Sequence, residues 1–300
     1  MNKTYLRTGL VTLILCCLLP ATAARAAGRG ECLSTRSRIL GGPVGYCVLL
    51  PPAYDTDKTR RFPVLYYLHG LGDNEQMLLR SGGWSMIQDL WGRHELGEFI
   101  IVTPAAGSSF YLNSRDGRYR YEDFLLQEFL PLIEGRYRIR AARASRGIAG
   151  ISMGGYGALR LAFRRPDLFG SVATHSAAIV AQLPAVETGS NARGALRLFA
   201  ETFGSPVDRA FWNRNNPLAL ARTANPAGLK IYFDCGSQDD YGFDSGAQAL
   251  HNLLASRKVT HEFHIYPGGH NWLYFAEHLP ESLMFESRAL GLSGAAASAR

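Results

Sequence analysis

Residues 146–166, RGIAGISMGGYGALRLAFRRP, decide the fold. The run 146–150 enters Gly150-Ile151-Ser152-Met153-Gly154, a G-x-S-x-G turn, and residues 153–165 continue with helical character until Pro166. A strand that turns sharply into a helix lifts the serine oxygen above the sheet and aims the next N–H groups at a reacting oxygen. Glycines at 150 and 154 remove the Cβ atoms that would clash in so tight a turn. Gly155 and Gly157 let the helix approach the sheet. The bare pattern is common, and a glycine-rich turn with a bystander serine would also produce it. The strand before it and the helix after it are what make it specific.

The same alternation extends in both directions. Residues 46–50, 63–68, 99–103, 170–175, 229–235 and 261–266 are short β-rich runs. Helical spacing marks 84–96, with Trp84, Ile87, Leu90 and Trp91 on one side. It also marks 121–137, where Pro131 predicts a kink or break, as well as 244–257 and 272–290. From about Gly291 the chain reads as a frayed tail. Strands alternating with helices predict an α/β fold, a mostly parallel central sheet with helices on both faces. Residues 181–228 interrupt that order and read as an inserted, cap-like segment; nothing suggests a repeat or a linker.

A serine nucleophile needs a base and an orienting acid, which follow a G-x-S-x-G serine in the order acid, then His. The run 229–235 leads into Gly236-Ser237-Gln238-Asp239-Asp240, and 261–266 into Pro267-Gly268-Gly269-His270. Ser152, Asp239 and His270 therefore have the required order at strand ends. His251, His261 and His264 fall within a helix or a strand, His94 and His278 on helices, and His175 precedes the acid. His69-Gly70-Leu71-Gly72 closes an early strand in the manner of an oxyanion loop, with His69 structural. The N–H of Leu71 would pair with that of Met153 to hold the oxyanion, each such donor supplying about 10²–10³ in rate. No His or Cys spacing suits a metal, and Gly154-Gly155-Tyr156-Gly157 is not a phosphate loop.

The 300 residues carry 32 Lys+Arg against 25 Asp+Glu, a formal +7, with 47% apolar residues. That is a globular composition. Its charge has a second explanation. Lys3 and Arg7 precede an apolar run, 11–19, and Ala24-Arg25-Ala26 supplies a cleavage site. This is the anatomy of a secretory signal peptide, residues 1–26, with an apolar run too short for a stable transmembrane helix. Cleavage near Ala26 removes three cations and leaves residues 27–300, a single domain with a net +4. The expected location is secreted or periplasmic, with no nucleic-acid partner and no stable membrane insertion. The remaining Arg excess mildly favours an anionic substrate or envelope surface. Cys32 and Cys47 flank a Gly-Gly-Pro turn and are expected to form a disulfide; Cys235 reads as a buried thiol.

These residues resemble the esterase D-like branch of the α/β-hydrolases, which includes S-formylglutathione hydrolases, feruloyl and acetylxylan esterases, siderophore esterases and mycolyltransferases. The resemblance rests on YYLHGLGDNE (66–75), GIAGISMGGYGALRLAFRRPDLFG (147–170), DCGSQDD (234–240) and GGHNW (268–272), and extends over about residues 35–290. FGSP (203–206), Trp212 and Asn216-Pro217 look like the family's insertion. It implies an α/β-hydrolase fold with Ser152 as nucleophile, Asp239 as acid, His270 as base, and Leu71 and Met153 as oxyanion donors. Asp239 is preferred to its neighbour Asp240 because it follows Gly236 by three residues, as the family's acid does. Trp84 and Tyr111 fall where the family often builds its acyl or alcohol pocket. A signal peptide argues against glutathione thioesters, whose hydrolases are cytosolic. The expected function is an exported serine carboxylic-ester hydrolase without a cofactor, acting through an acyl-enzyme on a small-molecule or carbohydrate-linked ester. Two alternatives are an acyltransferase of the mycolyltransferase type and a non-catalytic carbohydrate or envelope binding module. Products formed with added acceptor alcohols separate the first, and labelling of the serine separates the second.

Overall fold

The structure is a computed structural model and describes residues 27–183 and 199–292. The expected signal peptide, the centre of the expected insertion (184–198) and the expected tail past 292 lie outside the described residues. Eight strands form one sheet: β1 (Arg29–Arg36), β2 (Pro43–Leu50), β3 (Val64–Leu68), β4 (Ile100–Pro104), β5 (Arg146–Ile151), β6 (Ser171–His175), β7 (Lys230–Gly236) and β8 (Glu262–Tyr266). Their spatial order is β1-β2-β4-β3-β5-β6-β7-β8. The six strands from β4 to β8 in that order are parallel, whereas β1 and β2 run antiparallel.

The apolar runs are buried on both faces because helices cover both sides of the sheet. Side chains alternate between the faces. Val64, Tyr66 and Leu68 of β3 join one core with Ile148 and Val172, while Leu65 and Tyr67 join the other with Ile101 and Ala149. The helix Met153–Arg164 packs on the first face, and the helix Trp272–Ala289 on the second.

Three local outcomes differ from the sequence reading. Strand β1, RGECLSTR, has no apolar run to announce it; it is held by pairing with β2 and by the Cys32–Cys47 disulfide between directly opposed residues. The segment 121–137 does not break at Pro131. The helix Tyr121–Phe124 passes through a π turn, Leu125–Phe129, into the helix Leu130–Arg136. Leu130 N–H bonds to Leu125 O, so the helix widens just before a residue that has no N–H to give. The first helix of the reading spans Gly83–Gly92 and stops short of residue 96.

The described part of the insertion contains a helical stretch, 199–203, and the short helices Arg209–Asn215 and Pro217–Thr223. Asp208 and Asn216 cap them, accepting from Phe211 N–H and Leu218 N–H. The buried Arg160 guanidinium ties the insertion to the sheet-packed helix, reaching Asn215 Oδ1 at 2.7 Å and Glu122 Oε2 at 2.7 Å.

Glu286 is fully buried on the other face, where its Oε2 accepts from the Ser171 hydroxyl and its Oε1 has no partner among the described residues. Burial pushes its carboxyl up from the ordinary carboxylate range to about 8. Between the unfolded value of 4.5 and 8, the folded chain holds a proton that the unfolded chain releases. Stability from this group is complete below the unfolded value and is lost as pH rises through the folded one. A shift of that size is worth at most about 5 kcal/mol. Glu286→Gln is therefore expected to raise the melting temperature at pH 9 and to leave it nearly unchanged at pH 4.5, as thermal unfolding across that range would show.

Candidate active site

Ser152 joins the end of β5 to the helix Met153–Arg164 with φ 51° and ψ −116°, a strained conformation for a residue with a Cβ. The turn is fixed from several sides. Ser152 N–H bonds to His175 O at 3.0 Å, and Ser152 O accepts from the N–H groups of Tyr156 and Ala178. A Cβ on Gly154 would lie 2.0 Å from Leu68 O, so only glycine permits this approach of helix to strand. Met153 is the first residue of the helix, where backbone N–H groups have no intrahelical acceptor.

His270 lies on the loop between β8 and the helix Trp272–Ala289. Its Nδ1 and Asp239 Oδ2 are 2.7 Å apart, and both side chains are largely buried. Nδ1–H donates to the carboxylate, which leaves Nε2 available to take a proton. Asp240 plays a different part: its Oδ2 accepts from the His270 backbone N–H at 3.1 Å. Burial alone would raise the Asp239 carboxyl. The His270 bond and the N–H groups of Tyr241 and Phe243 outweigh it and hold Asp239 below its ordinary value. Tyr241, Phe243 and Phe275 meet the imidazole edge-on at 4.9, 5.4 and 5.3 Å between ring centres.

Ser152 and His270 line one cavity of about 330 Å³, together with Leu71 and Met153. No direct hydrogen bond joins the Ser152 hydroxyl to His270, and such contacts often tighten only when substrate binds. The Leu71 loop is anchored by His69. Ala106 N–H donates to His69 Nε2 at 3.0 Å, so the proton resides on Nδ1 and is donated to Gly70 O. Burial lowers the His69 pKa, which favours this neutral form.

Neither Trp84 nor Tyr111 lines the cavity. Tyr111 is fully buried, with its hydroxyl donating to His69 O just before the Leu71 loop. Trp84 packs edge-on against Trp91 and covers Gly28, just before β1. The cavity walls instead include Phe110, Tyr241, Phe243, Trp272 and Phe275. Four of these lie within five residues of Asp239 or His270 in sequence, a proximity that could have pointed to them.

The family model described as "Putative esterase" matches residues 37–285. Esterase Rv1288 of Mycobacterium tuberculosis is 32% identical over 250 residues, covering 77% of this chain and 53% of that protein. An acetyl esterase of Caldicellulosiruptor saccharolyticus is 25% identical over 228 residues, covering 75% of this chain and 83% of the relative. The structure of a ferulic acid esterase superposes with a TM-score of 0.75 at 27% identity, covering 88% of this chain and 99% of that one. The chain spans about half the length of the Mycobacterium tuberculosis relative it matches. With its parallel sheet, its strand-turn-helix serine and a family match over most of its length, the chain belongs to the Esterase family.

Proposed function

We propose that this protein is an exported serine carboxylic-ester hydrolase, with Ser152, His270 and Asp239 as its catalytic triad. The observation that carries this reading is a serine on a strained turn sharing a cavity with a histidine whose Nδ1 is held by a buried carboxylate. Ser152 Oγ attacks the ester carbonyl while His270 Nε2 accepts its proton. Asp239 keeps the imidazole in the required tautomer and stabilises the imidazolium that forms. The N–H groups of Leu71 and Met153 hold the oxyanion. His270 then protonates the leaving alcohol, and water attacks the acyl-enzyme by the same steps in reverse order. The Cys32–Cys47 disulfide supports an oxidising compartment and hence export. No described helix is long and apolar enough to cross a membrane.

The aromatic walls suit an apolar or aryl acyl group, in keeping with the likeness to a ferulic acid esterase. The charge of the cavity runs against that of the whole chain. Among the described residues its lining contains no Lys or Arg, and its acidic member is Asp73, on the exposed loop after β3. Among the described residues, the Arg excess does not reach the cavity. Neutral esters are therefore the expected substrates. Asp73→Asn is expected to raise kcat/KM for p-nitrophenyl hemisuccinate relative to p-nitrophenyl acetate about threefold at low salt, less as salt screens the exposed carboxylate. An unchanged ratio would remove Asp73 from the account of selectivity.

The test of the function is hydrolysis of p-nitrophenyl acetate by the purified protein, with free acetate as the main product even when acceptor alcohols are added. No turnover by the wild-type protein, or equal turnover by Ser152→Ala, would contradict it.

A further inference from the structure

Beneath the cavity lies a second Ser–His–Asp array that the proposed chemistry does not use. His175 ends β6, and Asp234 stands beside it on β7. His175 Nδ1 and Asp234 Oδ2 are 2.7 Å apart, and His175 Nε2 is 2.7 Å from Ser282 Oγ on the helix Trp272–Ala289. All three residues are buried, and none lines the cavity. Without access to a substrate, the array has no nucleophilic role.

Its connections lead to both halves of the active site. The His175 carbonyl accepts the Ser152 N–H, so the nucleophile turn hangs from the residue whose ring Asp234 fixes. Asp234 also accepts from Tyr274 OH at 2.7 Å and from Tyr232 OH at 2.8 Å. Tyr274 belongs to the first turn of the helix that follows His270, and its N–H bonds to Asn271 Oδ1. Its ring closes on Gly268, where φ is 142° and a Cβ would lie 2.6 Å from the ring. The His270 loop is thus clamped on both sides by a residue that Asp234 orients. One buried carboxylate ties the strand end that carries the Ser152 turn to the helix that carries the His270 loop.

We propose that Asp234 is a positioning residue which, through His175 and Tyr274, sets the Ser152 turn against the His270 loop. The reason to build such a tie is geometric. Displacing one reacting partner by ~1 Å can cost ~100-fold in rate without touching the substrate pocket. An effect of that kind enters kcat and leaves KM alone.

This inference rests on Ser152 and His270 being the reacting pair, so Ser152→Ala is the control. Tyr274→Phe removes only the hydroxyl that reaches Asp234, and Ser282→Ala only the hydroxyl beside His175. In the full chain, with folding checked by circular dichroism, Tyr274→Phe is expected to lower kcat on p-nitrophenyl acetate about tenfold, with KM within about twofold of wild type. The rate of inactivation by a fluorophosphonate should fall in parallel, and Ser282→Ala should act in the same direction by a smaller factor. Folded variants that both keep kcat and inactivation rate within about twofold of wild type, whatever their melting temperatures, overturn the inference. If Tyr274→Phe does not fold, Ser282→Ala decides by the same threshold. An active Ser152→Ala would instead overturn the reading of the triad.

Discussion

Ser152→Ala is expected to lower kcat on p-nitrophenyl acetate by about 10⁵–10⁶, while the protein stays folded and KM changes little. The size follows from what is lost. No covalent intermediate can form, and only the oxyanion donors and the binding walls remain to act on water. The fold should tolerate the change, because the Ser152 hydroxyl makes no hydrogen bond among the described residues and the turn is held by backbone bonds to His175, Tyr156 and Ala178. Relief of a φ of 51° is not expected, since alanine carries the same Cβ. Steady-state kinetics on purified variants, with contaminating esterase excluded by a mock preparation, provides the measurement.

The second large effect separates two adjacent carboxylates. Asp239→Asn is expected to lower kcat about 10⁴-fold, because an amide at this position favours the wrong imidazole tautomer. Asp240→Asn is expected to remain within about tenfold of wild type, since the amide oxygen can still accept from the His270 backbone N–H. Equal losses in the two variants would assign the orienting role to the pair. The reverse order would assign it to Asp240. Because Asp239 is held below its ordinary value, it stays ionised into moderately acidic solution. Its protonation therefore does not set the acid limb of the wild-type rate profile near neutral pH.

Much of this arrangement is legible in the sequence, because the residues of the proposed triad sit at strand ends. Each of Ser152, Asp239 and His270 follows a short apolar run and is flanked by glycine within four residues, and parallel strands bring such ends to one edge of the sheet. Of the aromatic cavity walls, Phe110 is the one the sequence does not point to, since it lies far along the chain from Ser152, Asp239 and His270 and reaches the cavity only through the whole fold. Tyr111 and Trp84 show the limit of carrying positions over from a family: one is buried with its hydroxyl on His69 O, and the other packs against Trp91 and Gly28, away from the cavity lining. Chain order places His175 before the acid and says nothing of its burial or of its bond to Asp234, both of which depend on the neighbouring strand β7. Strand β1 was silent for a different reason. Its residues are mostly polar and alternately exposed, and pairing with β2 rather than an apolar run makes it a strand.

A fluorophosphonate probe applied to the folded protein, followed by peptide mapping, reports the reactivity of one serine. The expected result is a single adduct on the peptide containing Ser152, absent in Ser152→Ala and strongly slowed in His270→Ala. A folded protein that takes no label at Ser152, or that hydrolyses esters while labelled only elsewhere, would contradict the assignment of Ser152 as the nucleophile.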